Sequence, residues 1–257
     1  MLNIRPIEAF SDNYIWLITA DEHRQAFVVD PGDATVVEQA LAAEELDLVG
    51  ILITHHHFDH VGGLAELKAA HQPLVYGPDN PAIEGIDRRV TAGDRVDVLG
   101  QSFSVMEVPG HTLDHIAYFA GGDTPLLFCG DTLFAGGCGR LFEGTAPMMH
   151  RSLQSLMELP ASTRVYCAHE YTLANLAFAQ AVEPDNEALA RRMAEARAAR
   201  DRGEATVPST LALERATNPF VRCDSAELQA ALQAQQRLED ASPAAVFATV
   251  RAWKDNF

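Results

Sequence analysis

The sequence is short of the features that mark secreted, membrane-embedded or nucleic-acid-binding chains. It has four cysteines in 257 residues, Cys129, Cys138, Cys167 and Cys223. They are widely spaced and form no CxxC pair, so reduced and mostly buried thiols are expected rather than disulfides. None is the nucleophile of first choice. No apolar run reaches the ~18 residues of a membrane span. The opening MLNIRPIEAFSDNY lacks the basic-then-apolar order of a secretion signal, so a cytoplasmic protein is expected. Positive charge is scarce, with 19 Lys and Arg against 36 Asp and Glu, a net of 19 − 36 = −17. Such a field repels nucleic acid and anionic membranes. It still admits a small anionic ligand held by a local cationic cluster.

The first two-thirds of the chain reads as strands with helices between them. Apolar or alternating runs stand at 13–19, 26–30, 49–54, 73–77, 95–100, 103–108, 115–120, 125–130 and 164–168, many of them bounded by Gly, Pro or Asp. Helical patterns sit at about 33–46, 63–71 and 147–158, with Asp33 or Thr35 as a cap and Pro147 suited to a helix start. After about residue 170 the chain turns rich in Ala, Arg and Glu. Two helices split at Pro184 are expected, the second ended by Gly203, and a last helix begins at Ser242-Pro243. An all-helical C-terminal third is the expectation.

Histidine is where the sequence is unusually dense. Four of its ten histidines fall within THHHFDHVGG, residues 54–63. The stretch follows the apolar strand ILIT. In near-extended backbone, residues two apart share a face, so His55 and His57 converge while His56 points elsewhere. Asp59 and His60 lie past the turn and address a second nearby point. Gly62 and Gly63 allow a tight reversal before the next helix. Imidazole with carboxylate suits Zn, Fe and Mn.

The same pattern recurs down the chain. His111 follows FSVMEVPG, Asp131 follows PLLFCG and His169 follows RVYCA, each at a strand end. The set is five imidazoles and two carboxylates. One first-row metal takes about four to six ligands, so seven suit two ions sharing one carboxylate. Two divalent ions and two aspartates leave a positive centre suited to an oxyanion, and hydrolysis by metal-activated water is predicted. His115 is expected to be structural or to support a ligand, with Thr112 and Asp114 as further orienting groups. His23, His71 and His150 carry no supporting pattern and are expected at the surface or in packing.

These residues resemble the His-x-His-x-Asp-His motif and later ligands of the metallo-β-lactamase superfamily. That resemblance implies an α+β fold, an αββα sandwich with a two-metal site at one edge. Further stretches, SDNYIWLI, PGHTLDHI, GDTLFAGGCGRLFEGT, AHEYTLANL, NPFVR and the final VRAWKDNF, are similar to the bacterial glyoxalase II (hydroxyacylglutathione hydrolase) family over essentially the full length. The resemblance implies a catalytic domain at 1–170 and a helical glutathione-binding domain at 171–257. It implies that S-D-lactoylglutathione is hydrolysed to glutathione and D-lactate, a step of methylglyoxal detoxification, by a hydroxide bridging two metal ions, Zn first and Fe or Mn otherwise. His55, His57 and His111 would hold one metal, Asp59, His60 and His169 the other, and Asp131 both. Asp59 and Asp131 would be the catalytic carboxylates.

By the same resemblance Arg140, Phe142, Tyr171, Arg251 and Lys254 contact the substrate. Some family members carry Lys and Tyr where this chain has Arg140 and Phe142. Arg140 keeps the charge and offers a two-pronged grip on a carboxylate, whereas Phe142 lacks a hydroxyl. A monomer without nucleic-acid or membrane partners is expected. The alternatives are a mononuclear-iron glutathione persulfide dioxygenase of the same superfamily and a metal-storage protein.

Overall fold

The computed structural model describes residues 2–21 and 24–257; His23 lies outside them. The chain divides into two compact units, one of Met1–Val108 with Asp114–Gly130, the other of Pro109–Leu113 with Asp131–Phe257.

Among the described residues, the first unit holds ten strands and three helices. In order these are β1 (Leu2–Ala9), β2 (Asn13–Ala20), β3 (Gln25–Val29), α1 (Ala34–Ala43), β4 (Asp47–Leu52), α2 (Phe58–Val61), α3 (Leu64–His71), β5 (Leu74–Pro78), β6 (Arg88–Val90), β7 (Arg95–Val98), β8 (Gln101–Glu107), β9 (Ile116–Ala120) and β10 (Leu126–Gly130). Strands β1 to β6 form one sheet in chain order, antiparallel from β1 to β3 and parallel from β3 to β6. Strands β7 to β10 pair successively and antiparallel. The parallel strands β3 and β4 are nearly uniformly buried, as strands covered on both faces must be. Val28, Ile51 and Val75 from the sheet pack with Val37 and Leu41 of α1 and Leu64 and Leu67 of α3 in one core. Asp33 caps α1 by accepting from the Thr35 N–H at 2.8 Å.

Two bonds join the strand sets at the start of the histidine stretch. The buried Tyr118 hydroxyl donates to the Ile53 carbonyl at 2.9 Å, and the Ile116 N–H donates to the Thr54 carbonyl at 2.9 Å. Strand β1 was not anticipated. Its segment contains Pro6 and Arg5 and buries few residues, a profile tolerated because β1 is the sheet's edge.

The second unit contains the hairpin β11 (Leu133–Phe134) and β12 (Gly137–Cys138), α4 (Ala146–Met157), β13 (Arg164–Cys167), α5 (Thr172–Val182), α6 (Glu187–Asp201), β14 (Ser209–Thr210), α7 (Leu211–Thr217), α8 (Ala226–Ala234) and α9 (Pro243–Lys254). Pro184 lies between α5 and α6, and Gly203, at φ +74°, follows α6 in the left-handed conformation open to glycine. From residue 171 on, the chain is helical apart from the two-residue β14, which pairs with β13.

All four cysteines are free and buried. Burial pushes the Cys138 thiol up to about 11 against the pull of nearby Arg251, and Cys167 up to about 12. Burial drives Cys223 upward as well. A native chain at pH 8 is therefore expected to give almost no reaction with Ellman's reagent, and all four thiols once unfolded in guanidinium. Prompt native labelling of Cys138 would contradict this placement. Above about pH 8.5 the unfolded chain ionises thiols that the folded chain keeps protonated, so stability falls as pH rises.

Candidate metal centre

Within the first unit, the histidine stretch begins where β4 ends. His55 and His57 do converge, with His55 Nε2 and His57 Nδ1 3.2 Å apart. His56 turns to Asp114, Nδ1 to Oδ1 at 2.9 Å, and Asn80 donates to the other Asp114 oxygen at 2.8 Å. One helical turn, α2, carries Asp59 and His60. His60 Nε2 lies 3.5 Å from Asp59 Oδ2, and Asn13 Nδ2 donates to that same oxygen at 2.9 Å. The His115 ring stacks on His55 with centroids 4.5 Å apart and planes at 17°.

Asp30 organises this half and went unnoticed in the sequence. It is 4% exposed and has φ +53°. Its Oδ1 accepts from the Thr54 N–H and its Oδ2 from the Thr54 hydroxyl, both at 2.7 Å, and Oδ2 lies 3.0 Å from His60 Nδ1. Thr54 Oγ1 in turn lies 3.0 Å from His55 Nδ1. Asp30 thus fixes the rear nitrogen of His60 directly and that of His55 through Thr54. Each ring is left to present Nε2, the arrangement typical of metal-binding imidazoles. Ligand-capable atoms of Asp30, His55 and His60 all lie within 4.8 Å of one another, but the bonds above commit Asp30 to orientation. The signal was available: AFVVD is an apolar strand ending in Asp, as PLLFCGD is.

Glycine enters this half where space demands it. Gly130 ends β10 at φ +46°, and a Cβ there would strike the Thr54 hydroxyl and come within 2.9 Å of the His115 ring.

In the second unit Asp131 lies between two imidazoles. Its Oδ2 is 3.4 Å from His111 Nε2 and its Oδ1 is 3.4 Å from His169 Nε2. The rear nitrogen of His111, Nδ1, is 2.8 Å from the Arg140 carbonyl oxygen. The His111 segment is held by Ser152, which donates to the Pro109 carbonyl at 2.7 Å, and by the Phe142 N–H, which donates to the His111 carbonyl at 3.2 Å. Asp131 thus presents one carboxylate oxygen toward each of two Nε2 atoms.

The substrate-contact candidates also lie in this unit. The exposed Phe142 ring packs edge-on against His111, centroids 5.3 Å apart. Tyr171 stacks on His169 at 4.6 Å and 7°. Arg140 is exposed. Arg251 is buried, its guanidinium donating to the Cys138 carbonyl at 3.2 Å and to Asp255 at 2.8 Å. Lys254 is half-buried over the Phe178 ring at 5.1 Å, and burial lowers its ammonium pKa, with nearby Arg251 adding to the effect.

Residues 10–169 match the metallo-β-lactamase superfamily, and residues 170–257 match a family described as hydroxyacylglutathione hydrolase C-terminus. A "Hydroxyacylglutathione hydrolase" of Pseudomonas paraeruginosa is 53% identical over 258 residues, covering 100% of both chains. The chain belongs to the hydroxyacylglutathione hydrolase family. The α+β class and the metallo-β-lactamase fold with its helical C-terminal region hold with that membership. Among solved structures, ETHE1 from Myxococcus xanthus is 27% identical with TM-score 0.66, covering 99% of this chain and 98% of that one. TTHA1623 "in a di-iron-bound form" is 26% identical with TM-score 0.60, covering 84% and 99%.

Among the described residues, the donors gathered within each unit are imidazole nitrogens and carboxylate oxygens. That set fits a divalent first-row metal, as a member of this family requires. Among the described residues no helix is long and apolar enough to cross a membrane.

Proposed function

We infer that this protein is a thioester hydrolase that cleaves hydroxyacylglutathione to glutathione and a hydroxy acid. Full-length identity of 53% to relatives bearing that name carries the inference. S-D-lactoylglutathione is the substrate, giving D-lactate and placing the enzyme in methylglyoxal detoxification. Residues 1–170 form the catalytic part and 171–257 the glutathione-binding part. The protein works as a monomer. Its buried thiols, none in a disulfide, suit the reducing cytoplasm.

Two metals would be held, with Zn favoured by the ligand set. His55, His57 and His111 would take one, and Asp59, His60 and His169 the other. Asp131 would be shared, a role supported by its two oxygens facing His111 and His169. When bound, the ions supply Lewis-acid activation of water and of the thioester carbonyl.

The chain's own groups do the rest. Asp59, fixed by Asn13, orients the attacking water and accepts its proton at a carboxylate oxygen. Asp30 and the Arg140 carbonyl keep His60 and His111 from rotating. The departing glutathione thiolate is a stable leaving group, with a thiol pKa near ~8.5, so no strong acid is needed. Arg140, Arg251 and Lys254 attract the anionic tripeptide, while Phe142 and Tyr171 offer ring faces to it.

Purified protein is expected to hydrolyse S-D-lactoylglutathione with metal counted on the same sample. Chelation should remove the activity and leave the circular dichroism of the fold intact. A sample with two metals per chain and no turnover would end this assignment. Oxygen uptake with glutathione persulfide would transfer it to the dioxygenase alternative.

A further inference from the structure

Asp255 follows α9 as its C-cap residue. A carboxylate there opposes the helix dipole, which favours cations at a C-terminus. Its position is explained instead by two arginines. Asp255 Oδ1 accepts from Arg251 at 2.8 Å, and the same oxygen lies 3.7 Å from Arg140 Nε. Arg251 is 7% exposed, and its Nε is a buried donor with no hydrogen-bond partner. Its other bonds go to the Cys138 carbonyl at 3.2 Å and the Cys138 sulfur at 3.7 Å, and its charge sits over the Phe220 ring at 5.1 Å. The arginine pair therefore already grips a carboxylate, and one of its donors remains unused. Lys254, on the same helix, reaches the Ala174 carbonyl at 3.4 Å.

We propose that Asp255 is an internal stand-in for the substrate's terminal carboxylate, competing with it for Arg140 and Arg251 and so setting substrate affinity. This rests on the assignment of those arginines to glutathione. An incoming carboxylate must share or displace Asp255, which weakens binding of the tripeptide without touching the reacting bond. The carboxylate also offsets the charge of Arg140 and Arg251 on a chain of net charge −17. A substrate lacking that terminal charge gains nothing from displacing Asp255. The residue thus limits the advantage of anionic over neutral glutathione derivatives.

Asp255→Asn keeps size and one acceptor while removing the charge, and Asp255→Ser is the companion variant. Both are expected to lower KM for S-D-lactoylglutathione about three- to tenfold with kcat within about twofold. KM for the glycinamide of the same thioester should not move, and the salt dependence of KM should steepen. Calorimetry with glutathione itself should show a parallel fall in Kd, independent of turnover. An unchanged or raised KM and Kd in both variants overturns the proposal, since a merely structural Asp255 predicts weaker binding when lost. Tighter glutathione binding in an enzyme that fails to hydrolyse the thioester would sink the activity assignment and leave this one standing.

Discussion

Asp131→Asn is expected to reduce kcat/KM on the order of 10³-fold and to lower the metal content per chain below that of the unsubstituted protein. The carboxylate places one oxygen 3.4 Å from His111 Nε2 and the other 3.4 Å from His169 Nε2. An amide keeps one acceptor and turns the other into an NH2 donor. If Asp131 is the shared ligand proposed above, one ion would then meet N–H groups where it needs a lone pair. The substitution also removes a buried carboxylate charge that would offset the charge of the metal. The change is nearly isosteric, and the fold should persist by circular dichroism. Elemental analysis and steady-state kinetics on one preparation decide the matter. Full metal content with full activity would show that Asp131 does not bridge; full metal with lost activity would make its role electrostatic.

The legible part of this centre was written in strand ends. His55, His111, Asp131 and His169 each follow an apolar run closed by a small residue or Gly, and the period-two facing of an extended chain separated His56 from its neighbours. Asp30 obeys the same pattern but stands apart from the histidines in sequence, and a buried carboxylate that only orients others leaves no spacing signature. Asn13 was equally silent. Its bond to Asp59 exists because β2 and the α2 turn meet in space, 46 residues apart along the chain.

Arg251 shows a different limit. Its spacing from Lys254 places both on one helical face but does not say which face meets solvent. The wider stripe does: Phe247, Val250, Arg251 and Lys254 follow the i, i+3, i+4, i+7 pattern of a face turned inward. The first three are buried. Apolar neighbours at helical spacing, rather than charge, were the readable sign that this arginine is held in packing with its guanidinium on a carbonyl and a carboxylate.

The loop from Asp131 to Arg140 is positioned from beneath by a buried ionic network, and breaking it is the second large effect expected. Glu214 is 0% exposed and Arg192 5%. Arg192 binds Glu214 Oε1 at 2.5 Å and also donates to the Thr217 hydroxyl at 2.6 Å and the Ser209 hydroxyl at 3.0 Å. Glu214 Oε2 accepts the Gly136 N–H at 2.9 Å and the Asn218 amide at 3.0 Å. Asn218 in turn donates to the Gly137 carbonyl at 2.9 Å. The pair therefore grips the β11–β12 turn that separates Asp131 from Gly139, where a Cβ would meet the Asp131 carbonyl and lie 3.1 Å from His111 Nδ1.

Glu214→Leu strands a buried guanidinium, which costs about 3–5 kcal/mol. In a domain of this size the thermal midpoint should fall by roughly 6–20 °C. At a temperature where the variant stays folded, kcat should still drop ~10- to 100-fold, because the turn has lost its acceptor and Asp131 shifts with it. Adding Arg192→Leu separates the two effects. Replacing both charges with apolar groups removes the stranded cation and should recover much of the midpoint. It cannot restore an acceptor for the Gly136 N–H, so activity should stay low. Recovery of both together would reduce the network to a fold element with no bearing on the metal centre; recovery of stability alone would show that a buried ion pair holds the ligand loop in register.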